Sequence, residues 1–455
     1  MKKTYLIIGA SAAGISAVNK IRQLDPDATI VCISDEAEFP YNKCFLADYL
    51  AGSKTQEQLA IFTPELVRQK NVQLLLGKKV SQLHCAEKQI ELTDGQRISY
   101  DVLLIATGTS PIKPNIPGID AQGVFNFHGL GHATSLLQFV KQLTVRGESF
   151  DPAFAKASAG EAGWAFTPEL SRGVRTGGIE PGPQLELQRK LGKTIIPYKT
   201  LNAVIIGAGL SGLECADALT AQGVKVTVVE RAEQILPRLV DTQGAAFIEN
   251  AMRNLGVVCL TQHMVTEIII KEQRVAGVTL ANGTVIPADV VVCALGARPN
   301  TAFTAEAGIK MQDAWIQVDV FMQTSIPGIF AAGDVVVVKD QISGNLVPSC
   351  TWSDAMHQGL IAAHNMVGQP RAHPGVTVIT SSAFFGVKFA SCGPISNQHE
   401  LEVAHKTTES EYKMLLTKDA VLKGFLIIAP ALSLGNYRKA VLTGQKIVPE
   451  ELIGL

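Results

Sequence analysis

Ala203-Val204-Ile205-Ile206-Gly207-Ala208-Gly209-Leu210-Ser211-Gly212-Leu213-Glu214 is the stretch that decides the fold. Ala203–Ile206 reads as a buried parallel strand, the residues to about Gln222 as a small-residue helix, and Lys225–Val229 as a second strand. A glycine turn joining strand to helix to strand is a βαβ unit. The N-terminus repeats the plan. Tyr5–Ile8 is followed by Gly9-Ala10-Ser11-Ala12-Ala13-Gly14, a helix expected from Gly14 to about Leu24, and the strand Thr29–Ile33. Each unit is echoed by a strand that runs into a glycine turn: Val102–Ile105 into Ala106-Thr107-Gly108, and Val290–Cys293 into Ala294-Leu295-Gly296. A third such strand, Gly328-Ile329-Phe330-Ala331-Ala332-Gly333-Asp334, has no counterpart. After about residue 370 the pattern changes to strand-like runs at Lys388–Ser391, Tyr412–Leu416 and Gly424–Ile428, which suggest a small α+β domain.

The totals agree with an enzyme-sized globular chain. It has 455 residues, 47% hydrophobic and 18% charged, with a net charge of −1. That balance gives no reason to expect a nucleic acid or an anionic membrane as partner. Eight cysteines stand singly at 32, 44, 85, 215, 259, 293, 350 and 392, without metal-ligand spacing, so no metal site is expected. Scattered thiols in a long chain suggest a reducing, cytoplasmic setting. Met1-Lys2-Lys3 before an apolar run imitates a secretory signal, but Tyr5–Ile8 is only strand length and enters Gly9. No run is long and apolar enough for a membrane span.

The glycine turns carry chemistry. A helix N-terminus offers free N–H groups and partial positive charge to a dinucleotide's pyrophosphate, and the turn before it must be bare enough for backbone to touch phosphate. In the first turn Gly9 supplies the bend, Gly14 lets helix and strand approach, and Ser11 stands where a second glycine is usual. An acid some twenty residues on should bond the ribose. Position 34 is Ser, so Asp35 or Glu36 takes that role. The second turn is complete, Gly207-x-Gly209-x-x-Gly212, with Glu230 closing the next strand. A carboxylate there bonds the 2′-hydroxyl of NADH and repels a 2′-phosphate, which favours NADH. Arg231 beside it keeps NADPH open.

Taken together, Ile8-Gly9-x-Ser11-x-x-Gly14, Ala106-Thr107-Gly108-Thr109-Ser110-Pro111, Gly207-x-Gly209-x-x-Gly212-Leu213-Glu214, Gly296-Ala297-Arg298-Pro299-Asn300 and Pro327–Asp334 resemble the pyridine nucleotide–disulfide oxidoreductase superfamily. The resemblance covers nearly the whole chain, in order. It implies an α/β architecture with two Rossmann-like dinucleotide-binding domains and a small α+β C-terminal interface domain. The FAD-binding domain is expected at 1–119 and 320–345, the NAD(P)H-binding domain at 120–319, and the interface domain, which would make a homodimer, at 346–455. FAD is expected on the first turn, with Lys43, Thr107, Gly108, Gly333 and Asp334 around it. NADH is expected on the second turn, with Gly296 at its edge and Glu214 near the nicotinamide. The implied activity is passage of a hydride from NADH to FAD, and of electrons onward to a disulfide, oxygen or a small redox protein.

The branch is less sharply marked. The paired Cys-x-x-x-x-Cys of the disulfide reductases is absent. Cys44, in Phe39-Pro40-Tyr41-Asn42-Lys43-Cys44, falls where coenzyme A-disulfide reductases and NADH oxidases carry a single redox cysteine. The same segment is similar to rubredoxin- and nitrite-reductase-like NADH dehydrogenases, with Cys44 replacing a proline. Ala12 stands where the peroxidases of that branch carry a histidine, which argues against peroxide chemistry. Lys43 and a helix beginning at Phe45–Leu50 are expected to lower the Cys44 thiol, which a redox role requires. The alternative is that Cys44 only fills space. Two competing functions follow: an electron-transfer partner of the rubredoxin-reductase kind with no catalytic thiol, and a redox sensor whose catalysis is damaged by an insertion. That insertion, about Gly147 to Gln184, is rich in Gly, Ala, Ser, Pro and charge, and is expected to be a mobile surface segment.

Overall fold

Two parallel sheets of the same design carry the molecule. The computed structural model describes residues 2–146, 200–396 and 398–454, so the expected insertion at 147–184 lies outside the described residues. The first sheet runs, edge to edge, Ile329–Ala331, Val102–Ile105, Thr4–Ile8, Thr29–Ile33 and Val72–Leu75. The second runs Val124–Asn126, Val290–Cys293, Asn202–Ile206, Lys225–Val229 and Val258–Leu260. Every ladder in both is parallel. These strands are nearly continuous Val, Ile and Leu because both faces are covered. In the first sheet Ile8 pairs with Ile33 and Ile105; in the second Ile206 pairs with Val229 and Cys293. Both glycine turns therefore leave the carboxyl end of a central strand, the place where open α/β sheets bind ligands.

The duplication extends further. A three-stranded antiparallel meander, Val80–His84, Gln89–Leu92 and Arg97–Ser99, accompanies the first sheet, and Val265–Lys271, Arg274–Leu280 and Val285–Pro287 accompany the second. The two units are tied where their glycine-ended strands exit, since Thr109–Pro111 pairs antiparallel with Ala297–Pro299.

Close approach explains the glycines. A Cβ on Gly14 would lie 1.8 Å from the Gly9 carbonyl oxygen, and one on Gly212 would lie 2.1 Å from that of Gly207. Gly9 and Gly207 turn at φ +111° and +107°, a region side chains avoid. The first helix, Ala12–Leu24, begins two residues before the expected Gly14, with Ser11 as its N-cap. Helix Trp352–Met366 lies against it, so tightly that a Cβ on Gly359 would meet the Ala13 carbonyl at 2.1 Å.

The third part is a five-stranded antiparallel sheet in the order Ile379–Phe384, Val387–Cys392, Val421–Ala429, Tyr412–Lys418 and Glu402–Thr407. One face, with Phe384, Phe389, Tyr412 and Ile428, joins the core of the second unit. The other, with Phe425 and Ile427, is covered by Gly435–Thr443 and Pro449–Ile453 through Tyr437, Ala440 and Ile453. Two expected boundaries do not follow the packing. Ile309 and Ile316 share the first unit's core, and so do Ala355, Ile361, Ala362 and Ala363 of helix Trp352–Met366. Residues near 309–316 thus pack with the first sheet rather than the second, and that helix packs with it rather than with the antiparallel sheet. Among the described residues no helix is long and apolar enough to cross a membrane.

Candidate functional site

A cavity of about 1120 Å³ opens where the three parts meet. The first glycine turn forms one end. Gly9, Ser11, Ala12 and Ala13 line it, with Asp35 and Glu36 from the end of the next strand. Ser11 adopts φ −107°, an ordinary conformation for a side-chain-bearing residue, and its hydroxyl makes no capping bond to the helix. The serine therefore replaces a glycine without strain, and leaves the helix N-terminus to an incoming anion.

Glu36 is held firmly. Tyr41 Oη donates to its Oε2 at 2.7 Å and Lys43 Nζ to its Oε1 at 2.8 Å. Burial opposes its charge, but the charge and hydrogen bond of Lys43, with the Tyr41 hydroxyl, outweigh burial and hold the carboxyl below its ordinary value. The same Tyr41 oxygen accepts from Leu130 N at 2.7 Å, so one phenol links Glu36 to the helix Leu130–Arg146. Asp35 is exposed beside it.

Deeper in the cavity lie Thr107, Gly108, Gly333 and Asp334. Gly333 N is anchored by the buried Gln358 at 2.7 Å. Thr107 Oγ1 donates to Asn300 O at 2.8 Å, and Asn300 Nδ2 donates back to Thr107 O at 3.0 Å, which locks the Thr107 turn to the second unit. Asp334 is raised above the usual carboxylate range, chiefly by burial, with Lys43 opposing and Asp354 reinforcing the rise.

The third wall comes from the second unit and the C-terminal sheet. Helix Leu210–Ala221 presents Leu210, Glu214 and Asp217 to the cavity, and strand Ile379–Phe384 presents Ile379 to Ala383. Ser382 Oγ donates to Glu214 Oε1 at 2.6 Å. Burial raises the Glu214 carboxyl, the Ser382 bond lowers it, and Asp48 raises it again.

Cys44 is exposed on this cavity, within the single turn Lys43–Phe45 that precedes helix Leu46–Ala51. Its backbone N–H is taken by Asn42 Oδ1 at 2.9 Å. The expected activation of its thiol is not found. Burial raises it, Glu214 raises it further, its own backbone N–H lowers it, and Asp334 adds a rise. Lys43 is committed to Glu36 instead.

Besides Gly14, five expected residues stand apart from the cavity lining: Gly207, Gly209, Gly212, Glu230 and Gly296. They form the equivalent turn of the second unit. Glu230 accepts from Ala208 N at 2.7 Å and from Ala232 N at 2.8 Å, so its carboxylate is fixed at the turn. Gly209 has no neighbour within 4 Å of a Cβ position, which leaves its backbone open. The other expected residues, Gly9, Ser11, Asp35, Glu36, Lys43, Cys44, Thr107, Gly108, Glu214, Gly333 and Asp334, line the one cavity, and Gly14 shapes its turn from behind. Sequence reasoning missed Tyr41, Asp48, Asp217, Cys350 and Ser382, all lining the same cavity. Tyr41 stood in a quoted motif; the others carry no local signal. Among the described residues no cluster of metal-ligating side chains occurs.

The residues fit two dinucleotides. A cradle that a single Cβ would fill, an uncapped helix N-terminus and an acid at the end of the following strand occur twice, once in each unit. The family model of the pyridine nucleotide-disulphide oxidoreductases matches residues 3–150 and 160–368, and the chain belongs to that family. It is an FAD-dependent NAD(P)H oxidoreductase, with the fold expected of that class. It is 28% identical over 369 residues to an NADH oxidase of Methanocaldococcus jannaschii, covering 80% of this chain and 70% of that one. It is 25% identical over 452 residues to the ferredoxin–NAD(+) reductase component of a 3-phenylpropionate/cinnamic acid dioxygenase from Photorhabdus laumondii, covering 98% of each. A solved NAD-dependent persulfide reductase from A. fulgidus has the same fold, with a TM-score of 0.80 over 99% of this chain and 79% of that one, at 24% identity.

Proposed function

We propose that the enzyme passes the electrons of NADH to a small disulfide-class acceptor that enters the cavity at Cys44. The observation that carries this reading is that Cys44, like Cys350, is exposed on the cavity that Glu214 and Asp334 also line, whereas Cys32, Cys215, Cys293 and Cys392 are buried. FAD, when bound, supplies the hydride acceptor and electron relay that no side chain offers. The first turn, Asp35 or Glu36, the Thr107-Gly108 turn and Asp334 hold and orient it. Gly207, Gly209 and Gly212 receive the pyrophosphate of the nicotinamide nucleotide. Glu230, fixed by two backbone N–H groups, meets the ribose and favours NADH over NADPH.

The acceptor step balances as thiol–disulfide exchange. The Cys44 thiolate attacks one sulfur of R–S–S–R, forming Cys44–S–S–R and releasing RS⁻. NADH and one proton then return the Cys44 thiol and a second RSH, leaving NAD⁺. The thiol must lose its proton first, and the carboxylates around it oppose that loss, so turnover rises with pH. Cys44→Ser tests the route. Disulfide reductase activity disappears while NADH–ferricyanide reduction continues; retention of disulfide reduction refutes it.

A second reading has its own support. Among the described residues no cation lowers the Cys44 thiol, Lys43 being bonded to Glu36, and a ferredoxin reductase component is similar over 98% of the chain. In that reading a redox protein takes electrons directly and Cys44 is dispensable, so Cys44→Ser leaves its reduction unchanged. We divide the chain into a first unit with helix Trp352–Met366, a second unit, and the C-terminal sheet. The free cysteines suit a reducing cytoplasm. We assign homodimer contacts to the C-terminal part, which sedimentation analysis tests.

A further inference from the structure

Helix Trp352–Met366 sends a polar side chain into the interior of the first unit. Gln358 is 0% exposed, and its helix neighbours Ala355, Ile361, Ala362 and Ala363 belong to that unit's core. A buried amide is costly unless it is paired, and Gln358 is paired at both ends. Its Oε1 accepts from Gly333 N at 2.7 Å, and its Nε2 donates to Ser349 Oγ at 3.1 Å. Gly333 N can only donate, so the amide must point its oxygen at Gly333 and its nitrogen at Ser349. Helical side chains lean toward the N-terminus of their helix, which brings Gln358 back toward the end that meets the cavity.

Both segments joined by this amide line the cavity, Gly333 and Asp334 in one, Cys350 and Thr351 in the other. In the first, Ala332 N donates to Ile105 O at 3.0 Å and Val336 N to Gly333 O at 3.1 Å. With Gly333 N taken by Gln358, the backbone is fixed on both sides of Asp334. Helix and turn are seated closely: a Cβ on Gly359 would lie 2.1 Å from the Ala13 carbonyl oxygen, and one on Gly333 would lie 3.2 Å from the Ala13 Cβ. In the second segment Cys350 takes φ +45°, a left-handed conformation that side-chain-bearing residues avoid. Its flanks hold it there. Ser349 is buried and bonded to Gln358, while Thr351 caps the helix, accepting from Asp354 N at 3.3 Å and donating to Asp354 Oδ2 at 2.8 Å.

We infer that Gln358 is a positioning residue for the flavin: one buried amide sets the Gly333-Asp334 turn against the Ser349–Thr351 segment, and so fixes two parts of the cavity that receive FAD. The inference rests on the proposed placement of FAD against Asp334. An apolar side chain of the same length would fill the space equally well. It would leave Gly333 N without an acceptor, and that peptide would turn to find one. The second glycine turn, in the other unit, has no bond to this amide, so nucleotide binding there is spared.

The test uses the full-length flavin-loaded protein. FAD release on dilution is followed by flavin fluorescence, the visible circular dichroism of the bound flavin is recorded, and NADH affinity is read from the concentration dependence of flavin bleaching. Gln358→Met keeps the length and loses both bonds. It is expected to release FAD about tenfold faster and to alter the flavin dichroism, with NADH affinity within about twofold of the parent. Gln358→Glu is expected to match the parent in release and dichroism, since its carboxylate accepts from Gly333 N and from the Ser349 hydroxyl. Parent-like release from Gln358→Met overturns the inference. So does an equal loss of NADH affinity, which marks general loosening, or a Glu variant that releases FAD as fast as the Met variant. If Gln358→Met does not fold, Ser349→Ala decides: it breaks one of the two bonds, release about threefold faster supports the inference, and parent-like release overturns it. Asp334→Ala is measured beside them. Parent-like release there, with fast release from Gln358→Met, removes the Asp334 side chain from FAD binding and leaves the role of Gln358 standing, so the two failures are distinct.

Discussion

Two glycines three residues apart, Gly209 and Gly212, are assigned different duties by the structure, and replacing each by alanine separates them. At Gly212 the new methyl would sit 2.1 Å from the Gly207 carbonyl oxygen and 3.3 Å from the Ala294 Cβ. Both are parts of rigid elements, so the helix must retreat from the strand by about an ångström. Overpacking of that kind costs about 1–3 kcal/mol, and a backbone clash places it at the upper end. At Gly209 a methyl meets nothing within 4 Å, and φ −75° suits alanine. The stability cost is there limited to the poorer N-cap, about 1 kcal/mol or less. What Gly209→Ala does obstruct is the approach of pyrophosphate to backbone. A loss of about tenfold in NADH affinity, equal to about 1.4 kcal/mol, is expected. Urea unfolding gives the first quantity, and the NADH dependence of flavin bleaching in stopped flow gives the second. The reasoning is refuted if Gly209→Ala unfolds as easily as Gly212→Ala, or if it binds NADH as the parent does.

Other outcomes follow from single side chains. Glu230→Gln keeps the shape at the second turn and removes the charge, so the preference for NADH over NADPH, read as the ratio of kcat/KM values, falls about tenfold; an unchanged ratio would remove Glu230 from nucleotide choice. Tyr41→Phe strips Leu130 N of its acceptor and Glu36 of a donor, with an expected loss of about 2–4 kcal/mol in urea unfolding and weaker FAD retention. Glu36 titrates below its ordinary value in the folded chain, so its contribution is present above the ordinary carboxylate pKa of about 4.3 and is lost as pH falls through the depressed value. Parent protein should therefore lose more stability on acidification than Glu36→Gln, measured by thermal unfolding at a series of pH values.

The paired units were legible because each is a local pattern: an apolar strand, a glycine turn and a small-residue helix within about thirty residues. Gly9, Gly14, Gly207 and Gly212 could be assigned from spacing, since the close approach they permit lies within one βαβ unit. Contacts between distant segments were not legible. Helix Trp352–Met366 packs on Ala12–Leu24 through Gly359, and nothing in its own sequence names its partner. Ser382 lies in an ordinary alternating strand, and its bond to Glu214 joins two separate parts of the fold. The surroundings of Cys44 were not legible for a related reason. Lys43 is adjacent in sequence, but its ammonium turns to Glu36, while two acids from remote segments act on the thiol. Sequence neighbours along a tight turn do not share a direction, and burial sums over every element that closes the cavity.

The central claim is that electrons from NADH reach a disulfide through Cys44. Protein treated with cystamine at alkaline pH carries a mixed disulfide at Cys44, located by peptide mass spectrometry. One equivalent of NADH is then added without oxygen while the flavin spectrum and the free thiol at Cys44 are recorded together. The account predicts brief bleaching, return of the oxidised flavin spectrum, release of one cysteamine and a free Cys44 thiol. A flavin that stays bleached over a Cys44 that stays blocked would contradict it.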